Sequence, residues 1–169
     1  MPKARSSTPR ASRAEPHPHP LHEQFMRRAI EEARTALHIG EVPIGAVVVH
    51  EGRVVGQGFN QSVHTRDPAA HAEVVAVRMA ARVLGNYRLT GSTLYVTVEP
   101  CLMCVGLLVS ARVSTVVYGA AEPKCGAVSS ILDLDDLSLN HRFDVVKGVL
   151  ESDCRKLIQD FFKFKRAQA

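Results

Sequence analysis

Residues 93–119 read TLYVTVEPCLMCVGLLVSARVSTVVYG, and this stretch decides the fold class. The segment 93–98 is rich in β-branched and aromatic residues, which predicts a strand, and 113–118 repeats the pattern. Between the two, residues 102–111 form an apolar segment long enough for a helix. A strand, a helix and a second strand in succession are typical of α/β proteins.

The sequence on either side of this stretch continues the alternation of helices and strands. Apolar residues at helical spacing predict a helix over 21–38, and a β-branched run over 44–49 followed by a turn at Gly52 predicts a hairpin. The other expected elements are a helix over 72–84, a strand over 143–149 and a closing helix over 151–166. We therefore expect an α/β fold, a three-layer α/β/α sandwich with a mixed sheet of about five strands.

The expected helix over 102–111 carries apolar side chains on all sides. Such a helix has to be covered all round, because water would otherwise meet its apolar surface. Two arrangements meet this requirement. The helix is either fully interior within one subunit, or it is covered by the sheet on one side and by a partner subunit on the other.

Cys101 and Cys104 lie one helical turn apart at the start of this helix, so their sulfur atoms face the same way. The partial positive charge at a helix N-terminus favours the thiolate, which is the form that binds a metal. A redox-active dithiol and a pair of buried core cysteines are the alternatives that remain open. A four-cysteine zinc knuckle is excluded, because Cys125 and Cys154 stand singly.

His71 and Glu73 supply the other half of a possible metal site, at the start of the helix over 72–84. Residues two apart on a helix point in different directions, which suits one ligand and one neighbouring carboxylate. One imidazole and two thiolates would give zinc three protein ligands and leave its fourth position for water or substrate. His71, Cys101 and Cys104 are therefore the candidate ligands, and Glu73 is the candidate catalytic proton carrier.

The motifs His71-Ala72-Glu73 and Pro100-Cys101-Leu102-Met103-Cys104 together resemble the signature of the zinc-dependent nucleobase deaminases. The wider similarity is to the bacterial tRNA adenosine deaminases of the cytidine deaminase superfamily. It extends from about residue 22 to 166, through the segments 41–47, 67–73, 86–89, 93–101, 140–142 and 160–162. The fold that the resemblance implies is the cytidine deaminase-like sandwich.

The resemblance also implies an activity, a cofactor and partners. The activity is hydrolytic deamination of adenosine to inosine at the wobble position of a tRNA, by a homodimer with one Zn²⁺ per subunit. The partner is the tRNA anticodon loop, whose flipped base enters the zinc pocket. By the same resemblance, Asn60 hydrogen-bonds the purine and Glu73 protonates N1 and the departing ammonia.

The closing helix combines aromatic and basic residues. Phe161 and Phe162 are adjacent and diverge by about 100° on a helix, so at most one of them can face the core squarely. An exposed aromatic ring flanked by cations suits stacking on an RNA loop, and Phe162, Lys163 and Arg166 are the expected substrate contacts. Alternatively, both phenylalanines close the core and the basic residues only solubilise the helix.

Two other functions remain open. Guanine and cytosine deaminases that act on free bases share the His-x-Glu and Pro-Cys-x-x-Cys motifs, because the metal chemistry does not select the base. The second is a non-catalytic, zinc-containing RNA-binding subunit, although such a protein would have no use for the Glu73 carboxylate beside a metal.

The net charge of +4 is distributed unevenly along the chain. Residues 1–20 carry four basic residues, one acidic residue and five of the nine prolines, so we expect a disordered basic tail followed by one folded deaminase domain over 21–169. Residues 154–169 carry five basic residues and one acidic residue, which suits a polyanionic partner. No apolar run predicts a signal peptide or a membrane span, so we expect a cytoplasmic protein without membrane contacts.

Overall fold

The computed structural model describes residues 20–132, 134 and 137–168. The predicted helices and strands are present there, with most boundaries shifted by at most two residues. In chain order the elements are α1 (Pro20–His38), β1 (Gly45–His50), β2 (Arg53–Phe59), α2 (Ser62–Thr65), α3 (Ala72–Leu84), β3 (Ser92–Val98), α4 (Leu102–Ser110), β4 (Thr115–Ala120), β5 (Asp144–Lys147) and α5 (Glu151–Ala167). None of these helices combines the length and the apolar content that crossing a membrane requires.

The strands form one mixed sheet in the order β2-β1-β3-β4-β5. β1 runs antiparallel to both of its neighbours, whereas β3, β4 and β5 are parallel. β2 and β3 therefore point the same way on either side of β1, and both end beside its first residue. Gly45 pairs with Phe59 of β2, and its N–H donates to Oγ1 of Thr97 in β3 at 3.2 Å.

Helices cover both faces of the sheet, which confirms the predicted three-layer α/β/α sandwich. The alternation of side chains along β1 marks the two layers of core. Ala46 and Val48 pack in a cluster with residues of α3 and α4, whereas Val47 and Val49 pack in a cluster with residues of α1 and α5. Because both faces are buried, residues 46–49 of β1 are all apolar, without polar alternation.

Helix α3 lies in backbone contact with β2 because two glycines of that strand carry no side chain. A Cβ atom on Gly56 would lie 2.2 Å from the carbonyl oxygen of Ala76, and one on Gly58 would lie 2.7 Å from Cβ of Val75. Any larger residue at either position would push the helix away from the strand. The two contacts therefore fix where α3 lies over the sheet.

The surface of α4 excludes one of the two arrangements considered for this helix. The helix is not fully interior within one subunit, because Leu102 is 59% exposed and Met103 is 41% exposed. Its buried residues, which include Cys104, Val105 and Leu108, face the sheet. One side of α4 thus presents apolar surface to solvent in the single chain.

Helix α2 was not predicted, because four residues are too few to show a helical period. The disordered tail predicted for residues 1–20 lies outside the described residues except for Pro20, which is the first residue of α1.

Candidate metal centre and active site

The segments that follow β2 and β3 emerge at the same edge of the sheet, and each leads into a helix. His71 is the N-cap residue of α3 and Cys101 is the N-cap residue of α4, both with extended backbone. Neither side chain caps its own helix by a hydrogen bond. The imidazole and the thiol are therefore free to face each other between the two helix N-termini.

Three ligand atoms meet at this point. Nδ1 of His71 lies 3.6 Å from Sγ of Cys101 and 3.6 Å from Sγ of Cys104. All three atoms lie within 4.8 Å of one another, and within the described part of the chain this is the group of histidine, cysteine and acidic residues that could hold a metal ion. Cys104 is buried, while His71 and Cys101 are half-buried, so the group is reached from one side. The structure thus brings together the three residues that the sequence singled out as ligands.

The two thiols differ in protonation. Hydrogen bonds from the Cys104 thiol and from His71 lower the pKa of Cys101 to about 3. The interaction with Cys101, together with burial, raises the pKa of Cys104 well above its ordinary value. The hydrogen bond with Cys101 also raises the pKa of His71. A metal ion bound to both sulfurs would favour the deprotonated form of each.

Glu73 lies in the first turn of α3 and is only 4% exposed. Burial raises the pKa of its carboxyl to about 6, against the opposing effects of its backbone hydrogen bond and of the His71 charge. A hydrogen bond with the Cys104 thiol also lowers the pKa of the Glu73 carboxyl, so the two groups lie close together. Glu73 is nevertheless not part of the ligand group. A carboxyl that titrates near neutral pH beside metal ligands is suited to taking up and releasing protons.

Asn60 connects the end of β2 to this centre. Its side chain is buried, and its Oδ1 accepts a hydrogen bond from the backbone N–H of Ala72 at 2.8 Å. It thereby supplies the cap for α3 that His71 does not provide. Among the described residues its amide NH₂ donates no hydrogen bond, so this donor is available to another partner.

The expected RNA contacts lie on a different part of the molecule. Helix α5 packs against β4, β3 and α1, and Phe162, Lys163 and Arg166 are exposed on it. Phe161 is buried, whereas Phe162 is 43% exposed, as the divergence of adjacent residues predicts. Phe164, 59% exposed, enlarges the aromatic surface and was missed. Its position two residues after Phe162, between lysines, was the available signal.

Two buried carboxylates were also missed. Oε1 of Glu41 accepts a hydrogen bond from the backbone N–H of His64 in α2 at 2.7 Å. Glu99, directly before Pro100, accepts hydrogen bonds from residues 122–130. Burial alone would raise the pKa of Glu99, but hydrogen bonds from Ser130 and from backbone N–H groups outweigh it and hold the pKa below its ordinary value. An acidic residue at the end of a buried strand was the signal.

Comparison with known proteins identifies relatives over most of the chain. Residues 21–166 match the family described as MafB19-like deaminase. The tRNA-specific adenosine deaminase of Haemophilus influenzae is 43% identical over 148 residues, which cover 86% of each chain. The tRNA-specific adenosine deaminase of Bacillus subtilis is 43% identical over 142 residues, covering 83% of this chain and 88% of the relative.

Solved structures agree with these relatives. A structure from work on A-to-I editing by tRNA:A34 deaminases at the wobble position superposes with a TM-score of 0.77 at 43% identity, covering 79% of this chain and 98% of that chain. Guanine deaminase from Bacillus subtilis superposes with a TM-score of 0.57 at 42% identity, covering 59% of this chain and 64% of that chain. The sequence match, the fold and the grouped His-Cys-Cys side chains agree, and the chain belongs to the MafB19-like deaminase family.

Proposed function

We propose that this protein is a zinc-dependent hydrolase that converts adenosine to inosine in tRNA, at the wobble position of the anticodon. The observation that carries the proposal is the His71, Cys101 and Cys104 group with the buried Glu73 carboxyl beside it. The choice of tRNA is supported by relatives named tRNA-specific adenosine deaminase, which match along 86% of this chain.

The three side chains fit a zinc ion in both chemistry and spacing. Zinc–sulfur bonds of about 2.3 Å and zinc–nitrogen bonds of about 2.0 Å at tetrahedral angles separate nitrogen and sulfur by about 3.5 Å. Nδ1 of His71 lies at 3.6 Å from each sulfur. Three protein ligands are also the number found in catalytic sites, since structural zinc sites are closed by four. Zinc held here would make water a stronger acid and hence supply hydroxide near neutral pH.

Glu73 carries the protons in this proposal. Hydrolytic deamination replaces the amino group on C6 with an oxygen atom from water and releases ammonia. The water loses a proton as it attacks, the ring nitrogen N1 gains one, and the leaving amino group needs another. A carboxyl whose pKa is raised to about 6 accepts the first proton from water and delivers it to N1, then accepts the second from the hydroxyl group on C6 and delivers it to the leaving amino group.

Asn60 orients the base. Its oxygen is occupied by the N–H of Ala72, which holds the side-chain amide in one orientation beside the first turn of α3. The free NH₂ group donates a hydrogen bond to an acceptor atom of the purine. Because its oxygen is occupied and its NH₂ is free, the Asn60 amide can bind the base. It does not transfer protons, because an amide does not titrate.

The exposed side of α5 binds the anticodon loop. Phe162 and Phe164 offer aromatic faces to unstacked bases, and Lys163 and Arg166 neutralise backbone phosphates. A free-base deaminase has no use for such a surface, which favours tRNA over the guanine deaminase activity of the structural neighbour.

The protein acts as a homodimer in this proposal. Leu102 and Met103 expose apolar side chains on α4 next to the metal ligands, and Gly106 has no atom within 4 Å of its Cβ position. Burial of this face against a second copy would remove apolar surface from water. The dimer is the second of the two arrangements that an all-apolar helix permits.

The purified protein should contain about one zinc ion per chain by elemental analysis. His71→Ala and Cys104→Ser should each lose most of that zinc, because two remaining ligands hold the metal weakly. Cys125→Ala is the matched control, since Cys125 is exposed and outside the ligand group. Full zinc content in both ligand variants, or a protein free of zinc with normal activity, would rule out the site.

Glu73→Gln should keep the fold and the zinc but lose deamination by about 10²- to 10⁴-fold, because the amide cannot relay protons. The assay measures inosine in unmodified tRNA, with free guanine, cytosine and adenosine tested in parallel for ammonia release. Glu32→Gln, a partly buried carboxyl on α1 across the sheet, should stay near wild-type activity. Wild-type protein that deaminates guanine and leaves tRNA unchanged would instead establish the free-base activity.

Phe162→Ala combined with Phe164→Ala should weaken tRNA binding by about tenfold or more, because base stacking is lost. Lys163→Ala with Arg166→Ala should also reduce the slope of log affinity against log salt by about 1.4, because two fewer counterions are released. The basic pair Arg27→Ala with Arg28→Ala on α1 is the control for net charge. Unchanged tRNA affinity in both α5 variants, measured by filter binding at several salt concentrations, would contradict the assignment.

Gly106→Glu should turn a wild-type dimer into a monomer in sedimentation velocity, since it puts a charge in the middle of the exposed face of α4. The variant should fold, because the position is open and glycine is a poor helix former. Gln57→Glu, exposed on β2, is the control of equal charge. A monomeric wild type, or a dimeric Gly106→Glu protein, would remove α4 as the interface.

A further inference from the structure

Glu99 is the most heavily hydrogen-bonded carboxylate among the described residues. It is 3% exposed and lies between the end of β3 and the metal-ligand candidate Cys101. Oε1 accepts backbone N–H groups from residues 128, 129 and 130, at 3.1, 2.7 and 2.9 Å. Oε2 accepts the N–H of Glu122 at 3.1 Å and the hydroxyl of Ser130. Both ends of the segment 122–130 are therefore attached to one side chain.

The same segment is also attached to the backbone around Cys101. The N–H of Ala127 donates to the carbonyl oxygen of Pro100 at 2.8 Å, and Gly126 forms an isolated β-bridge with Cys101. Gly126 has to be a glycine for this approach, because a Cβ atom there would lie 2.5 Å from Cδ of Glu99. The chain at 126–127 is thus pressed against the residues that lead into α4.

The position of the segment limits what Glu99 can do. Its oxygens are directed at residues 122–130, and it is not part of the group that could bind a metal. Ala127 and Val128 are buried in the core, whereas Pro123, Lys124 and Cys125 are exposed at the tip of the segment. The tip therefore lies beside Cys101. Cys101 is half-buried and lies on the accessible side of the group that could hold a metal.

We propose that Glu99 is a positioning residue that holds residues 122–130 as one wall of the substrate entrance, beside the metal centre. The carboxylate acts through the segment and does not touch the metal or the reacting base. The inference rests on the proposed deaminase function, because the wall contributes to substrate binding. A carboxylate is required since an amide at this position would turn an NH₂ group toward N–H donors.

Glu99→Gln tests this role with readouts that do not depend on one another. Hydrogen exchange should accelerate in peptides covering 122–130 and stay unchanged in α3 and β1, because the backbone N–H groups lose their acceptor. Zinc content and the ligand-field spectrum of the Co²⁺-substituted protein should match wild type. KM for tRNA should rise by roughly tenfold while kcat changes little, since the lost interaction is made in the ground state and in the transition state alike.

Two further variants make the test specific. Gly126→Ala forces the segment and the Glu99 carboxylate apart without removing the carboxylate, so it should reproduce the faster exchange and the higher KM. Glu41→Gln replaces another buried carboxyl that accepts one backbone N–H, so exchange should accelerate around His64 and not in 122–130. If Glu99→Gln does not fold, Gly126→Ala and Ser130→Ala give the same readouts with the carboxylate intact.

The outcomes separate this inference from the proposed function. Unchanged exchange in 122–130 would show that Glu99 does not hold the segment, and faster exchange with unchanged KM would show that the segment is not a wall of the entrance. Loss of zinc or an altered Co²⁺ spectrum would assign Glu99 to the ligand geometry, which also overturns the inference. A wild-type protein without activity on tRNA overturns the proposed function, while exchange and the cobalt spectrum still decide whether Glu99 anchors the segment.

Discussion

The contact of α3 with β2 is the constraint on which the centre depends. Gly56 and Gly58 leave no side chain between strand and helix, so the helix backbone rests on the strand at Ala76. The lateral position of α3 is then set by the sheet, and with it the place where the helix begins. His71 and Glu73 occupy that beginning, and Asn60 joins it to the end of β2. A packing contact at Ala76, five residues after His71 and three after Glu73, therefore determines where the imidazole and the carboxyl lie.

The two sides of the centre are brought together by strand direction. β2 and β3 run in the same direction on either side of β1. The helices that follow them, α3 and α4, therefore begin at the same edge of the sheet. Helix N-termini favour negative charge, which supports a thiolate at Cys101, and the neighbouring thiol and imidazole stabilise it further. Burial has the opposite effect on the acidity of Glu73. The pKa values of two neighbouring acidic groups are thus shifted in opposite directions. The shift of Cys101 favours its ionised form, whereas the shift of Glu73 suits it to exchange protons near neutral pH.

Much of this architecture could be predicted from the sequence. The strand-helix-strand pattern over 93–119 gave the fold class, and the paired motifs singled out the three residues that the structure groups together. The exposure of one side of α4 could not be predicted. An all-apolar helix has the same sequence pattern whether its own sheet or a second chain covers it. Glu99 was missed because its partners lie 23 to 31 residues further along the chain, and only the tertiary fold brings them to the carboxylate. Phe164 was missed although its exposure follows from the same helical geometry that separates Phe161 from Phe162.

The way in which Glu99 holds its segment has an evolutionary consequence. Four of its five hydrogen bonds come from backbone N–H groups, which every residue except proline provides. The anchor constrains Gly126 by its lack of a side chain, but it places no demand on the side chains of Pro123, Lys124 and Cys125. These three positions can change without moving Cys101. If residues 122–130 form a wall of the substrate entrance as proposed, substrate preference can diversify at these three positions while the residues of the proposed metal centre stay in place.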